Sequence, residues 1–381
     1  MDEYESMWKS PPGSPSQLID RYDVDQVHEE NDLHTILDAL HPSTIYTLDI
    51  TDTSMLPKHH HPSLNKTHLR PVMDECRLIK HPWEIKLLRQ VCHASSKAHI
   101  SLMQSTRKHR HEHKLRALFR CFIVLHGLSR EAYIPIVLSG RRAAILHETL
   151  HHEPLPNDEH TIVLVDAGGE RSCYGTDITR CYPANGKFSP EARTIYEIVL
   201  RMQETVLSHL KEGVMWADME FLAKRVLCEE LIRIGILQGD VDELMYLGVV
   251  HAFYFHSLGH SVGLDVHDVG GRHRFVHDDH EERSEFLCNR PLEANMVVTV
   301  EPGLYFNEVA MRPWLQAPGY DACFDIDKIN QYSAVGGIRI EDTVVITKQG
   351  VDNLTIVPKS VDAIERLMEA DSVVDLYPPL F

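Results

Sequence analysis

Apolar residues recur with a helical period over long parts of this chain. In IKHPWEIKLLRQVCHASSKAHISLM, residues 79–103, Leu87, Val91, Ala94, Ala98 and Leu102 follow one another at steps of three and four, which places them on one helix face. Pro82 falls near the first turn, where a missing N–H costs nothing. A second helix is expected to end near Gly127. A third starts at Ser189 as N-cap with Pro190 at the first helical position and runs to about Gly213. Further helices are expected over roughly 216–236 and near 361–370. Strands are expected in TIYTLDI (44–50), IVLVDAGG, CYGTDITR, MVVTVEPGLYF (296–306) and GGIRIEDTVVIT (336–347). Residues 1–75 are proline-punctuated and weakly periodic, so the change of texture near residue 75 predicts two domains, 1–75 and 76–381. Mixed helices and hairpin-like strands make the second an α+β unit.

With 381 residues, the chain can bury a sizeable core. Its 43 % hydrophobic and 25 % charged residues are ordinary for a soluble globular protein. Lys plus Arg number 38 against 56 Asp plus Glu, and the net charge of -18 argues against nucleic acid or an anionic membrane as partner. The eight cysteines (76, 92, 121, 173, 181, 228, 288 and 323) form no C-x-x-C pair, so neither a zinc ribbon nor a redox motif is suggested, and a reducing compartment is favoured. The acidic start MDEYESMWKSPPGSP has no apolar stretch, and no run approaches the roughly 18 residues of a membrane span, so a cytoplasmic location is expected. Among 26 histidines, those of KHHHPS (58–63) and KHRHEHK (108–114) read as solvated surface.

Candidate chemistry begins with His147-Glu148-Thr149-Leu150-His151, which spells H-E-x-x-H. On a helix this spacing would let two histidines grip one zinc while the glutamate activates water. Four other segments compete with it. In VDAGGERSCYGTDITR, Asp166 and Asp177 are expected on two antiparallel strands, facing each other about 4.5 to 5.5 Å apart. Two carboxylates at that distance require a shared proton or cations between them. HSLGHSVGLDVHDVGG holds His256, His260 and His267 in glycine-punctuated sequence with Asp265 and Asp268 interleaved, which suggests irregular backbone approaching a ligand. VTVEPGLYF and GIRIEDTVVI are strands that are apolar except around Glu301 and Glu341, and an isolated buried carboxylate needs a cation or hydrogen-bond partner. Arg339, two residues from Glu341, shares its strand face and is a candidate ion-pair partner.

Together, Asp166, Gly168, Tyr174, Asp177, Thr179 and Arg180, H-x-L-G-H-x-x-G-x-D-x-H-D, V-E-P-G-x-Y and R-I-E-D resemble the Xaa-Pro aminopeptidase and prolidase family over about residues 76–381. The resemblance implies the pita-bread (creatinase/aminopeptidase-like) fold, preceded here by a shortened N-terminal region. It implies a dinuclear metal site with ligands Asp166, Asp177, His260, Glu301 and Glu341, of which Asp177 and Glu341 bridge. Ligand hardness favours manganese, with cobalt or zinc left open. The implied reaction is hydrolysis of the X-Pro bond at a peptide N-terminus or in a dipeptide. Two cations about 3.5 to 4 Å apart lower the pKa of a bridging water, and the resulting hydroxide is the nucleophile. Glu301 is the implied proton shuttle, His256 and His267 contact substrate, and Arg339 supports charge in the pocket. The expected partners are small peptides with proline second; a homodimer is left open.

The same resemblance sets SGRRAAILHETL beside the substrate, with His147 off the metal. Prolines 154 and 156 leave no room for the second half of a zinc-protease helix, so H-E-x-x-H is read as coincidence. Departures from the family pattern are Glu148 in place of a tyrosine, Leu287 and Arg290 near expected arginines, and Asn295 in place of a glycine, which asparagine replaces readily in a left-handed turn. The rival readings are a catalytically impaired pita-bread scaffold acting as a binding protein and a mononuclear zinc protease using His147, Glu148 and His151.

Overall fold

The computed structural model describes residues 13–156, 158–270 and 290–370. Gly271, Leu287 and Cys288 lie outside the described residues. The chain divides after Met73 into two compact units.

The first unit holds the short helices α1 (Pro15–Tyr22) and α2 (Leu33–Leu40) and a parallel pairing of β1 (Ile45–Tyr46) with β2 (Leu64–Asn65). Ser14 caps α1 through a reciprocal capping box with Gln17. The strand expected over 44–50 shrinks to two residues, and beyond it Arg70 Nη2 donates to Asp49 Oδ1 at 2.9 Å. KHHHPS is a 3-10 helix in which His59 and His60 both bond Asp38 Oδ1, at 2.8 and 3.1 Å. His60 is buried, so the solvated-surface reading holds for His59 and fails for His60.

α3 (Leu69–Leu78) crosses the boundary, and the second unit continues with α4 (Pro82–Ser105) and α5 (Glu112–Leu125). Strands β3 (Arg130–Glu131), β4 (Ile136–Ser139), β5 (Ile162–Asp166), β6 (Gly169–Arg171), β7 (Tyr174–Gly175) and β8 (Thr179–Pro183) follow. Next come α6 (Pro190–His209), α7 (Trp216–Arg233) and α8 (Val241–Leu247), then β9 (Val297–Val300), β10 (Gly303–Tyr305), α9 (Glu308–Gln316) and α10 (Ile326–Tyr332). The chain ends its described part with β11 (Gly337–Arg339), β12 (Asp342–Ile346), β13 (Val351–Asn353) and α11 (Val361–Glu369). As the sequence predicts, Ser189 caps α6, its hydroxyl accepting from Ala192 N at 3.2 Å.

Two antiparallel sheets, ordered β4-β5-β8 and β13-β12-β9, carry the core. Every residue of β5, β9 and β12 is buried, in keeping with their mostly apolar sequences. Helix pairs α4/α5 and α6/α7 pack together around them.

Both glutamate segments differ from their expected single strands. β9 pairs with β12, whereas β10 pairs with β11, so each chain leaves one sheet and enters another within two residues. In the first the break falls at Glu301-Pro302, where proline has no N–H to continue the ladder. In the second it falls at Ile340-Glu341. The two glutamates therefore sit side by side at the crossovers, released from strand pairing.

Candidate metal centre

β5 delivers Asp166 at its C-terminal end, opposite Thr179 in the β5/β8 ladder. The direct facing of Asp166 and Asp177 expected from sequence is thus off by two positions. Residues 169–175 form their own hairpin, turning at Ser172 and Cys173 with φ of 54° and 67°, and this shifts the midpoint of the whole ladder. A shift of two keeps side-chain parity, so both aspartates still point the same way. Gly168 makes room for the turn: a Cβ there would lie 1.7 Å from the Thr176 carbonyl oxygen. The phenol of Tyr133 joins the two, donating at 2.6 Å to Asp166 Oδ1 and also lying against Asp177 Oδ1.

The 258–262 segment runs along the edge of β9. Glu301 N donates to Leu258 O at 2.9 Å, Thr299 N to His260 O at 2.8 Å and Val262 N to Val297 O at 2.9 Å. Gly259 permits this approach, because its Cβ would sit 2.2 Å from Thr299 O. The His260 ring donates from Nδ1 to Ser261 O at 3.0 Å, which turns Nε2 inward, 3.4 Å from both Asp177 Oδ2 and Glu301 Oε1. Glu341 accepts from the Thr179 hydroxyl at 2.6 Å on Oε2, while its buried Oε1 has no hydrogen-bond partner.

An unpaired, buried carboxylate oxygen beside three further carboxylates is costly unless a cation neutralises it. Burial pushes Asp166 up to about 6 and Glu301 up to about 7, against the pull of Arg339 and His260 respectively. Burial and then repulsion from Asp177 raise Glu341 well above the usual carboxylate range. Burial alone would raise Asp177 too, but the bond to His260, the charge of that ring and the bond from Tyr133 together outweigh it and hold the group at about 2. Ligand atoms of His260, Glu301 and Glu341 lie within 4.8 Å of one another, as do those of Asp166, Asp177 and Glu341. Two overlapping oxygen-rich donor sets sharing Glu341 fit a pair of hard divalent cations.

Arg339 pairs with Asp166 through Nη2, rather than with Glu341, and donates from Nε to Thr179 Oγ1 at 3.1 Å and from Nη1 to the Tyr305 hydroxyl at 3.1 Å. The bond to Thr179 lets the same hydroxyl hold Arg339 and Glu341 in register. Burial, reinforced by the nearby Arg339 charge, lowers His256 to about 3, so its ring is neutral. Its Nδ1 donates to Ser257 O at 2.8 Å, leaving Nε2 to accept from the Tyr305 hydroxyl at 2.9 Å. One polar chain thus runs from Arg339 through Tyr305 to His256.

A single cavity is lined by all nine residues singled out in the sequence: Asp166, Asp177, His260, Glu301, Glu341, His147, His256, His267 and Arg339. His147 and His151 do not converge. Residues 147–151 form no helix, Glu148 turns back to accept from Leu150 N at 2.7 Å, and both ring nitrogens of buried His151 lack hydrogen-bond partners.

Over residues 86–348 the sequence matches metallopeptidase family M24. The chain belongs to metallopeptidase family M24. Among curated relatives, it is 36 % identical over 378 residues to a probable Xaa-Pro aminopeptidase of Talaromyces stipitatus, covering 97 % of this chain and 80 % of that protein. A probable Xaa-Pro aminopeptidase of Neosartorya fischeri is 38 % identical over 377 residues, with 96 % and 80 % covered. The fold of this chain is similar to that of aminopeptidase PepP from Pseudomonas aeruginosa (TM-score 0.80, 31 % identity, 97 % of this chain and 80 % of that one covered). It equally matches a variant of Escherichia coli aminopeptidase P in complex with substrate (TM-score 0.80, 32 % identity, 97 % and 80 % covered). The pita-bread fold implied by the sequence motifs is therefore observed.

Three residues of this M24 site carry contacts that sequence reasoning did not assign. Thr179 and Tyr305 were visible inside the motifs, yet nothing local says which side chains their hydroxyls meet. Tyr133 stands in EAYIPIV, between β3 and β4, with no glycine or recognised motif to mark it.

Proposed function

We propose that this M24 peptidase removes the N-terminal residue from peptides whose second residue is proline, using two divalent cations held by Asp166, Asp177, His260, Glu301 and Glu341. The observation that carries the metal assignment is the unpaired Glu341 Oε1, buried among the other four side chains. The Xaa-Pro relatives at 36–38 % identity support the substrate class. Glu341 belongs to both donor sets, and ligand atoms of Asp177 also lie within 4.8 Å of those of His260 and His267, which supports a bridging role for Asp177 and Glu341. Oxygen donors outnumber the single imidazole, so manganese is the metal we favour.

When bound, the cations supply Lewis acidity toward the scissile carbonyl and a strong nucleophile from water at neutral pH. The protein's own groups do the rest. Glu301, lining the cavity and steadied by the Thr299 hydroxyl at 3.0 Å, takes a proton and passes it to the departing proline nitrogen. That nitrogen carries no hydrogen in the substrate, so recognition falls on ring shape and on the carbonyl. His267 and His147 face the cavity for this purpose, while neutral His256, tied to Tyr305 and Arg339, presents a fixed wall. Among the described residues no helix is long and apolar enough to cross a membrane. The seven described cysteines are free, which supports our placing the protein in a reducing compartment such as the cytoplasm.

The test is hydrolysis by the purified chain with added manganese of matched peptides carrying proline or alanine second. Release of the first residue only from the proline peptide, abolished by chelation, is expected. Equal cleavage of both, or of neither, contradicts the reading. Comparing X-Pro dipeptides with longer peptides then separates dipeptidase from aminopeptidase action.

A further inference from the structure

His267 lines the cavity from a segment that belongs to neither helix nor strand, so the path of the loop backbone helps to set where its ring points. The next residue, Asp268, is only 1 % exposed. Both its oxygens are held by cations from the far side of the loop: Oδ1 by Arg77 Nη2, and Oδ2 by Lys80 Nζ at 3.1 Å. Arg77 Nη2 also donates to Asp265 Oδ2 at 2.8 Å, so one guanidinium spans the residues on either side of Val266-His267. Asp268 N donates to Ser261 O at 3.0 Å, and the Ser261 hydroxyl to Val269 O, which ties the loop to the residue after His260. The rings of His260 and His267 end 4.0 Å apart. Gly263 belongs to the same arrangement: a Cβ would lie 2.2 Å from Asp268 Oδ2 and 3.0 Å from Lys80 Cε.

We propose that Asp268, clamped between Arg77 and Lys80, is the positioning residue that aims His267 at the substrate, an inference that rests on the X-Pro reading of this site. The two interleaved aspartates are thereby accounted for as anchors on the side of the loop opposite the metal donors. Lys80 is 2 % exposed, and a buried ion pair of this kind is a poor source of stability compared with well-packed apolar residues. What it supplies is one defined backbone path through Asp268 and hence one orientation for its neighbour.

The test is a double-mutant cycle on the manganese-loaded full chain with an X-Pro peptide. Asp268→Asn is expected to lower kcat about tenfold to hundredfold, the cost of a misplaced group at a reacting centre. In a His267→Ala background the same substitution is expected to cost less than about twofold, because the residue it acts through is gone. Equal losses in both backgrounds, or no loss in either, overturn the proposal. Hydrogen exchange at the Asp268 amide, which is bonded to Ser261 O, gives a readout independent of activity: exchange at least about tenfold faster in Asp268→Asn is expected, and unchanged exchange overturns it. If the wild-type chain cleaves no X-Pro peptide, the functional reading fails and hydrogen exchange alone decides the clamp. Should Asp268→Asn not fold, Arg77→Lys, which keeps the charge but cannot span Asp265 and Asp268, replaces it in both measurements.

Discussion

Removing one hydroxyl, in Thr179→Val, tests the metal centre without touching a proposed ligand. Thr179 is fully buried; its hydroxyl donates to Glu341 Oε2 at 2.6 Å and accepts from Arg339 Nε at 3.1 Å. Valine fills nearly the same space, so the loss is mainly one hydrogen bond to a charged acceptor and one from a charged donor. A hydrogen bond to a charged group contributes about 1.5–3 kcal/mol. At about 1.4 kcal/mol per decade, this corresponds to roughly a tenfold to hundredfold change in an equilibrium constant. Loss of a group that orients a metal ligand costs the same range in metal affinity, about 10–100-fold. Calorimetric titration with manganese, alongside X-Pro hydrolysis at buffered free metal, should therefore show affinity weakened by about one to two decades. Thr179→Ser, which restores the hydroxyl, should recover most of it. A valine variant that binds manganese within about twofold of wild type, or a serine variant as weak as valine, refutes the reasoning.

Asp177→Asn should abolish X-Pro hydrolysis while Glu148→Gln leaves most of it, and the reverse result would revive the zinc-protease reading of H-E-x-x-H. Tyr133→Phe deletes the phenol lying against Asp166 and Asp177, and should lower activity about tenfold to hundredfold in steady-state kinetics with the fold intact by circular dichroism. Gly303→Ala would place a Cβ 2.3 Å from the Tyr305 hydroxyl, which is pinned by His256 and Arg339. Denaturant unfolding should register a loss of about 1–3 kcal/mol from overpacking, together with reduced kcat.

The local pattern determined a good deal. The long helices were legible because burial follows a 3.6-residue period and because Ser189-Pro190 and Pro82 mark starts. Asn295 could be read as a left-handed turn, and it has φ of 72°. The four carboxylates and the histidines of 256–267 were legible because such groups inside apolar or glycine-rich sequence call for a partner, and Arg339 because it shares the strand face of Glu341, whereas exposed His147 was placed only by the family resemblance.

Tertiary structure decided how these groups meet. The hairpin at 172–173 reset the partner of Asp166 from Asp177 to Thr179, and Glu301 and Glu341 proved to lie at crossovers between sheets instead of within strands. It also gave Arg339 to Asp166, brought Tyr133 between two aspartates, and carried Asp265 and Asp268 to Arg77. The physical reason is the same in each case. Period and composition report the burial and backbone conformation of each residue, whereas contacts between segments up to about 190 positions apart depend on the summed registers of every ladder and loop between them.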